Sequence, residues 1–266
     1  MREIAIGAHR IAVESGAALF DGFWSRVASG AWEPETFALM DRILREGSHF
    51  VDIGAWIGPT TLYAAARGAT VDAYECDPVA LQSLTTNIAL NPPLSERIGV
   101  HPVALGDANR TARVFSGQLG NSETSIYREH EREGSVNDCA DTVLVPMRDA
   151  AEVFRERRYA ASESTLIKID VEGAEFMIVP RLADIIGPSR AVWYVSFHEW
   201  NVNSVHVPAR FPRLAAMLNA LLGFSALRWF DPDLRELDKV AVLDQLVAGN
   251  WPAHHSLVFS AQPLAG

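Results

Sequence analysis

Apolar and polar positions change their period along this chain, and the changes divide it into elements. Residues 1–14 alternate apolar and polar, the period of a half-buried strand, and predict a small hairpin. From Ala18 to Ala28 the apolar positions fall at helical spacing, and Gly30 ends the segment. Pro34 suits the first turn of a second helix over residues 35–45, which Gly47 stops. Short apolar runs then alternate with helical periods: strand 49–54, helix 59–67, strand 69–75, helix 78–90, strand 98–105. This βαβαβ order implies a parallel sheet wound by right-handed crossovers.

Residues 106–142 interrupt the rhythm. They are polar, rich in Gly, Ser, Asn and Glu, and their charge run at residues 128–133 reads as a solvated loop. A hairpin is expected within them, pairing residues 112–115 with 124–127. Strand 142–146, helix 148–158, strand 165–170, helix 174–186 and strand 191–197 follow. The last third gives helix 211–222, strand 225–230, helix Lys239–Ala248 and strand Ser256–Ser260, a closing unit suited to an antiparallel edge strand. No repeat and no Pro/Gly/Ser-rich linker divides the chain. Residues 1–266 therefore read as one domain: an N-terminal extension over 1–47 and an α/β core over 48–266 with a polar insertion at about 106–142.

The candidate chemistry begins where the first core strand ends, at Val51-Asp52-Ile53-Gly54-Ala55-Trp56-Ile57-Gly58-Pro59-Thr60. Glycines let the backbone of such a turn come close to a ligand. The next strand also ends in an acid, Glu75, about 20 residues beyond Gly54, the spacing of a ribose-binding carboxylate. A dinucleotide turn would read G-x-G-x-x-G and hold a diphosphate. Here the spacing is D-x-G-x-x-x-G, and Trp56 would crowd a diphosphate. The pattern suits a nucleoside ligand without phosphates, such as S-adenosylmethionine. Its ribose can donate to Glu75 while its amino-acid end lies on the turn.

A second cluster, Leu166-Ile167-Lys168-Ile169-Asp170-Val171-Glu172-Gly173-Ala174-Glu175, empties another apolar strand into carboxylates around a glycine. In an open parallel sheet ligands sit at the carboxyl ends of strands, so Asp52, Glu75 and Asp170 share one rim. One such acid alone would be an ordinary helix cap.

With Trp32-Glu33-Pro34-Glu35-Thr36, the turn at 51–58 and the 168–175 string, the chain resembles the FkbM family of S-adenosylmethionine-dependent methyltransferases. Ala104-Leu105-Gly106-Asp107 is a weaker match, and the likeness runs from about residue 30 to 200. The resemblance implies a seven-stranded Rossmann-like sheet of the class I methyltransferases, with helices on both faces. It also implies O-methylation of hydroxyls on sugars, polyketides or related small molecules. The family's usual Asn in the turn is Trp56 here, which removes a polar contact and leaves the turn intact.

The expected cofactor residues are Asp52, Gly54, Ala55, Trp56, Gly58, Thr60, Glu75, Asp170 and Asp107, the last near the adenine. On the acceptor side stand Glu172, Trp200 and, from an insertion expected to cover the site, Ser122, Glu123 and Thr124. Direct displacement needs the acceptor oxygen aligned about 3 Å from the methyl carbon. His198, just past a strand end, is the expected general base, because its ordinary pKa lies near working pH; Asp170 is the rival and a positioning group. Asp170, Glu172 and His198 could instead hold a hard cation. The remaining histidines show no metal-ligand spacing, so no metal is expected.

Composition narrows the partners. The net charge of −10 and the lack of a basic stripe argue against nucleic acid. No apolar run spans a bilayer and the N-terminus does not read as a signal peptide. With two cysteines and no disulfide framework, a cytoplasmic protein acting on a small molecule or sugar is expected. A cofactor fold without catalysis serving as an interaction module, or a methyltransferase of macromolecules, are the alternatives.

Overall fold

The computed structural model describes residues 1–16, 18–116, 118–126, 141–201, 210–250 and 256–264. An antiparallel hairpin of β1 (Arg2–Ile6) and β2 (His9–Val13) leads into α1 (Ala18–Ala28) and α2 (Pro34–Ile43). Pro34 opens α2 as expected, since the missing N–H falls where a helix has no internal acceptor for it. The alternating core follows: β3 (His49–Ile53), α3 (Pro59–Ala66), β4 (Thr70–Tyr74), α4 (Pro78–Ala89), a short α5 (Pro92–Ser95) and β5 (Ile98–His101). After these come β6 (Ala104–Gly106), β7 (Arg110–Ser116), β8 (Asp141–Asp149) and α6 (Ala150–Arg157). The chain closes with β9 (Thr165–Ile169), α7 (Glu175–Arg181), α8 (Ala183–Ile186), β10 (Val192–Ser196), α9 (Arg210–Gly223), β11 (Arg228–Phe230), α10 (Lys239–Ala248) and β12 (Ser256–Ser260).

Seven strands form one sheet in the order β11-β12-β10-β9-β3-β4-β5. The run from β10 to β5 is parallel, and β12 is antiparallel to both its neighbours. The antiparallel strand thus lies one place in from the edge, with β11 outside it. Alternate residues of each strand enter different cores, as period two demands. Phe50, Val71, Leu166, Tyr194 and Val258 pack with α1 to α4 and the hairpin. Val51, Ile53, Ile167, Trp193 and Phe259 pack with α6, α7, α9 and α10 on the other face. The winding runs outward from β3 to β5, then returns to β9 on the other side of β3. That reversal is the switch point at which an open α/β sheet binds ligands.

Three sequence expectations are corrected. The strand expected at 98–105 is cut at Pro102, which has no N–H to give a ladder; Val103 N–H turns back to His101 O at 2.8 Å. The remainder, β6, joins a separate three-stranded sheet ordered β6-β8-β7. Among the described residues, the hairpin expected inside the insertion is reduced to a single bridge, Phe115 with Ser125. β7 pairs instead with β8, because that register buries Ala112 and Val114 against Val145 and Met147. The expected helix 174–186 breaks at Leu182, just after Pro180, whose ring removes a helix donor. The charge run at 128–133 lies outside the described residues.

Gly54 is held at φ 87, and a methyl group there would sit 1.9 Å from the carbonyl oxygen of Asp170. The turn therefore needs glycine to let β3 and β9 exit side by side. Gly54→Ala is expected to destabilise the fold by at least the roughly 1–3 kcal/mol of a forced left-handed residue. A lowered urea midpoint without a changed slope is the expected readout.

Candidate functional site

The turn after β3 is built on three left-handed residues, Gly54 (φ 87), Trp56 (φ 49) and Gly58 (φ 94). Its amides at Gly54 and Ala55 both donate to Tyr74 O at 3.0 Å, so the turn follows the end of β4. Glu75 then receives Trp56 N–H on Oε2 at 2.8 Å, and Cys76 and Asp77 N–H on Oε1 at 2.7 Å. A carboxylate has about four acceptor positions. One is left for a further donor such as a ligand hydroxyl, and a second opens if the Trp56 amide yields. Burial pushes the Glu75 carboxyl up to about 7 against the pull of these three amides.

Trp56 also ties the insertion to this edge. Its Nε1–H donates to Gly120 O at 2.7 Å. Asp77 completes the latch: Oδ1 caps α4 through Val79 N–H at 2.8 Å, while Oδ2 accepts Gly120 N–H at 2.7 Å and Thr124 Oγ1–H at 3.1 Å. Residues 118–126 therefore lie as a flap across the ends of β3 and β4.

The ends of β9 and β10 carry the charges. Lys168 is buried beside its Cα partner Asp52, with Nζ 3.0 Å from Asp170 Oδ2 and 3.6 Å from Asp52 Oδ1. Burial alone would lower the ammonium's pKa, but Asp170, Asp52 and Glu33 hold it above its ordinary value. Burial would raise Asp170, yet Lys168 and His198 keep it below the usual carboxylate range. Asp52, wholly buried, accepts Thr60 and Thr61 hydroxyls on Oδ2, both at 2.7 Å, and burial raises its pKa.

Glu175, also wholly buried, accepts Gly173 N–H at 2.9 Å and the backbone N–H of His198, and it pairs with His198 Nδ1 at 3.1 Å. The other ring nitrogen lies 3.5 Å from Asp170 Oδ1 and 3.4 Å from Glu172 Oε1. Burial works against the imidazolium, but the three carboxylates win and push the His198 pKa up to about 10. The general-base expectation for His198 started from its ordinary pKa; here the three carboxylates around the ring favour its protonated form. Burial raises Glu172 to about 7, and Asn201 fixes it by donating from Nδ2 to its backbone O at 3.0 Å.

Two cavities open at this rim. A narrow slot of about 70 Å³ runs past Glu75, Tyr74, Val103 and Leu105 under the flap. A wider chamber of about 360 Å³ is lined by Lys168, His198 and Tyr194 together with Trp32, Glu33 and Glu35. Gly54, Trp56, Ser122, Asp170 and Glu172 line both.

The structure thus brings together Gly54, Trp56, Glu75 and Asp170 at the slot, Ala55 and Thr60 at the chamber, and Ser122 and Glu172 between the two. Thr124 lines the slot. Other expected residues lie elsewhere. Asp107 lines neither cavity and pairs with Arg110 at 3.4 Å, because Pro102 sends the chain away from the sheet before it. Gly58 lines neither cavity; a methyl there would meet Leu84 Cδ1 at 2.7 Å, so it serves helix packing. Asp52 supports the rim from behind, and Glu123 is exposed outside both cavities. The side chain of Trp200 lies outside the described residues. Lys168, Glu175, Glu33 and Tyr194 were missed as site residues. A lysine inside an apolar strand was the available signal for the first.

Asp170, Glu172 and His198 offer ligand atoms within 4.8 Å of one another, near enough for one cation. Lys168 and the His198 proton already supply positive charge there. For an adenosyl ligand the donor set fits better: a fixed carboxylate at a strand end, an apolar slot and a close glycine turn.

Residues 52–221 match the model of the methyltransferase FkbM domain. Among solved structures the chain is similar to a methyltransferase FkbM from Methylobacillus flagellatus, at 15% identity and TM-score 0.45, over 90% of this chain and 55% of that one. It spans about half that relative's length. It is similar to a TehB-like SAM-dependent methyltransferase from Corynebacterium glutamicum, at 12% identity and TM-score 0.40, over 91% of this chain and 95% of that one. A third likeness is to fibrillarin from Aeropyrum pernix with natively bound S-adenosyl-L-methionine, at 13% identity and TM-score 0.38, over 84% of this chain and 72% of that one. These structural likenesses are too slight to carry an argument, whereas the family match covers well over half of the chain. No curated protein matches it.

The charges give a signed pH dependence. His198 has a raised pKa, so its contribution is full below its ordinary value and is lost as pH rises towards about 10. Glu33, Glu75 and Glu172 are raised to about 7, so burying their ionised forms costs stability as pH rises through that value. The two slopes share a sign. The melting temperature of the ligand-free protein is expected to fall between about pH 6 and about pH 9. Glu172→Gln should make the fall shallower.

Trp56→Phe keeps an aromatic ring and removes the bond to Gly120. Amide exchange in residues 118–126 is expected to speed up in this variant. Unchanged exchange would show that the latch does not hold the flap.

Proposed function

The chain belongs to the FkbM methyltransferase family, with S-adenosylmethionine as its methyl donor, and from that premise we propose that it methylates a hydroxyl of a small molecule or sugar held in the chamber. The observation that carries this reading is the junction of slot and chamber at Asp170 and Glu172. A donor in the slot and an acceptor in the chamber would meet there, beside Gly54, Trp56 and Ser122, which line both cavities as well. A recessed chamber of about 360 Å³ suits a small molecule better than a macromolecule.

When bound, S-adenosylmethionine supplies a methyl group on a good leaving group. The work left to the protein is to hold, align and deprotonate. Glu75 accepts from the ribose, and the Gly54 turn leaves room for close approach. Glu172 receives the acceptor's proton: it stands at the junction, and burial gives its carboxyl a pKa of about 7, suited to a base near neutral pH. Asp170 is a poorer base, since Lys168 at 3.0 Å keeps it ionised. His198, already protonated, serves as a cation that holds both carboxylates in place.

Glu75→Gln is expected to weaken S-adenosylmethionine binding by roughly 1.5–3 kcal/mol, the range for hydrogen bonds to a charged partner. Calorimetry with equal affinity in the variant would remove Glu75 from the ribose site. NAD binding more tightly than the adenosyl ligand would overturn the whole reading. Binding without methyl gain in any small molecule or sugar would favour an inactive module.

With an acceptor in hand, Glu172→Gln should slow single-turnover transfer by about 10²–10⁴-fold and remove the acid limb of the pH profile. His198→Gln should slow it while leaving an acid limb. An acid limb that survives in Glu172→Gln would show that the base is another group.

A further inference from the structure

The chamber wall is more acidic than methyl transfer requires. Glu33, Glu35, Asp170 and Glu172 line it, against two cations, Lys168 and His198. Among the described residues no arginine joins them. Both cations are already engaged in the wall: Lys168 with Asp170 at 3.0 Å and Asp52 at 3.6 Å, His198 with Glu175 at 3.1 Å. Asp52 and Glu175 are wholly buried behind it. Four carboxyl groups therefore line the chamber, two of them, Glu33 and Glu172, raised to about 7 by burial, while both cations beside them are already paired within the wall.

A cationic donor at the junction would account for Asp170 and Glu172, which line both cavities. It leaves Glu33 and Glu35 unexplained, because they line the chamber alone. Glu33 is held there at a cost. Its backbone is left-handed, φ 41 and ψ 54, and its side chain gives no cap to the helix it precedes. Thr36 donates to its Oε2 at 3.0 Å and meets Tyr194 OH at 2.8 Å, so the carboxylate is aimed rather than loose. Trp32, fixed against Phe23 with ring centroids 4.9 Å apart, adds an aromatic wall beside it. A fixed carboxylate, Glu33, with a second carboxylate, Glu35, on the same cavity wall and an aromatic face is the chemistry that receives an ammonium.

We propose that the methyl acceptor carries a protonated amine near its reactive hydroxyl, as an amino sugar does, and that Glu33 and Glu35 hold that amine. This rests on the reading that the chamber takes the acceptor. An ammonium brings three donors and the missing charge. Phosphorylated or carboxylated acceptors would be repelled by the same wall.

The test uses the full chain saturated with S-adenosylhomocysteine. Matched pairs, glucosamine with glucose and galactosamine with galactose, are titrated at neutral pH by calorimetry or saturation-transfer NMR. At least one amine should bind about tenfold more tightly than its hydroxyl partner, the effect of one hydrogen bond to a charged group. The double variant Glu33→Gln with Glu35→Gln should lose the preference and keep its affinity for S-adenosylhomocysteine, which also shows that it is folded. Equal binding or no binding across both pairs overturns the proposal, as does a preference that survives in the double variant. Failure of S-adenosylhomocysteine to bind the unmodified chain would instead overturn the methyltransferase site, and this inference with it.

Discussion

A lysine ammonium buried in the middle of the sheet organises this molecule. Lys168 lies on β9 between β3 and β10, almost without contact with solvent. A charge in that position has to be paired, and removing a partner of such a pair typically costs about 3–5 kcal/mol. Asp52 from β3 and Asp170 from the end of β9 are the partners. Asp52 is committed in turn to Thr60 and Thr61 in the first turn of α3. The pairing therefore fixes two strand ends and a helix start together. Those elements frame the junction between slot and chamber.

Glu175 has the same role at the neighbouring strand. It accepts from Gly173, on the bend after β9, and from both the amide and the ring of His198, after β10. The imidazole arrives at the rim oriented and charged. Beside it, burial raises the carboxyl of Glu172, while Lys168 holds Asp170 down. Glu175, buried behind the wall, is the strongest of the groups that favour the charged imidazole.

Most of the sheet was legible in the sequence because parallel strands buried on both faces read as short apolar runs bounded by turns. The same logic failed where the third run met Pro102. There one missing N–H outweighed the apolar character of Val103 to Leu105 and moved Asp107 off the rim. At the site, position along a strand was readable: Gly54, Glu75 and Asp170 stand at strand ends and line the slot. Protonation was not. The ordinary pKa of histidine described His198 poorly because the deciding groups, Glu175 above all, are assembled by folding from separate elements. Glycine was ambiguous for a related reason. Gly54 and Gly58 look alike in sequence, yet one gives way to the backbone of Asp170 and the other to the side chain of Leu84.

The division between the two cavities also divides the chain. Every residue of the slot falls within the segment that matches the family, residues 52–221. The chamber is composite: Trp32, Glu33 and Glu35 come from the extension before that segment, and Pro232 and Ser256 from the stretch after it. The lining of the slot is thus contained in one contiguous stretch. The chamber is closed by flanking elements that are tied back to the core: Glu33 acts on Lys168, and Phe23 packs on Trp56 of the slot with ring centroids 4.4 Å apart. Trp32 rests on Phe23 and Phe37, ring against ring. Changes in the extension therefore reach both cavities, the chamber through Trp32 and the slot through Trp56. The central strands set the fold, and what is packed against them sets the shape of the chamber.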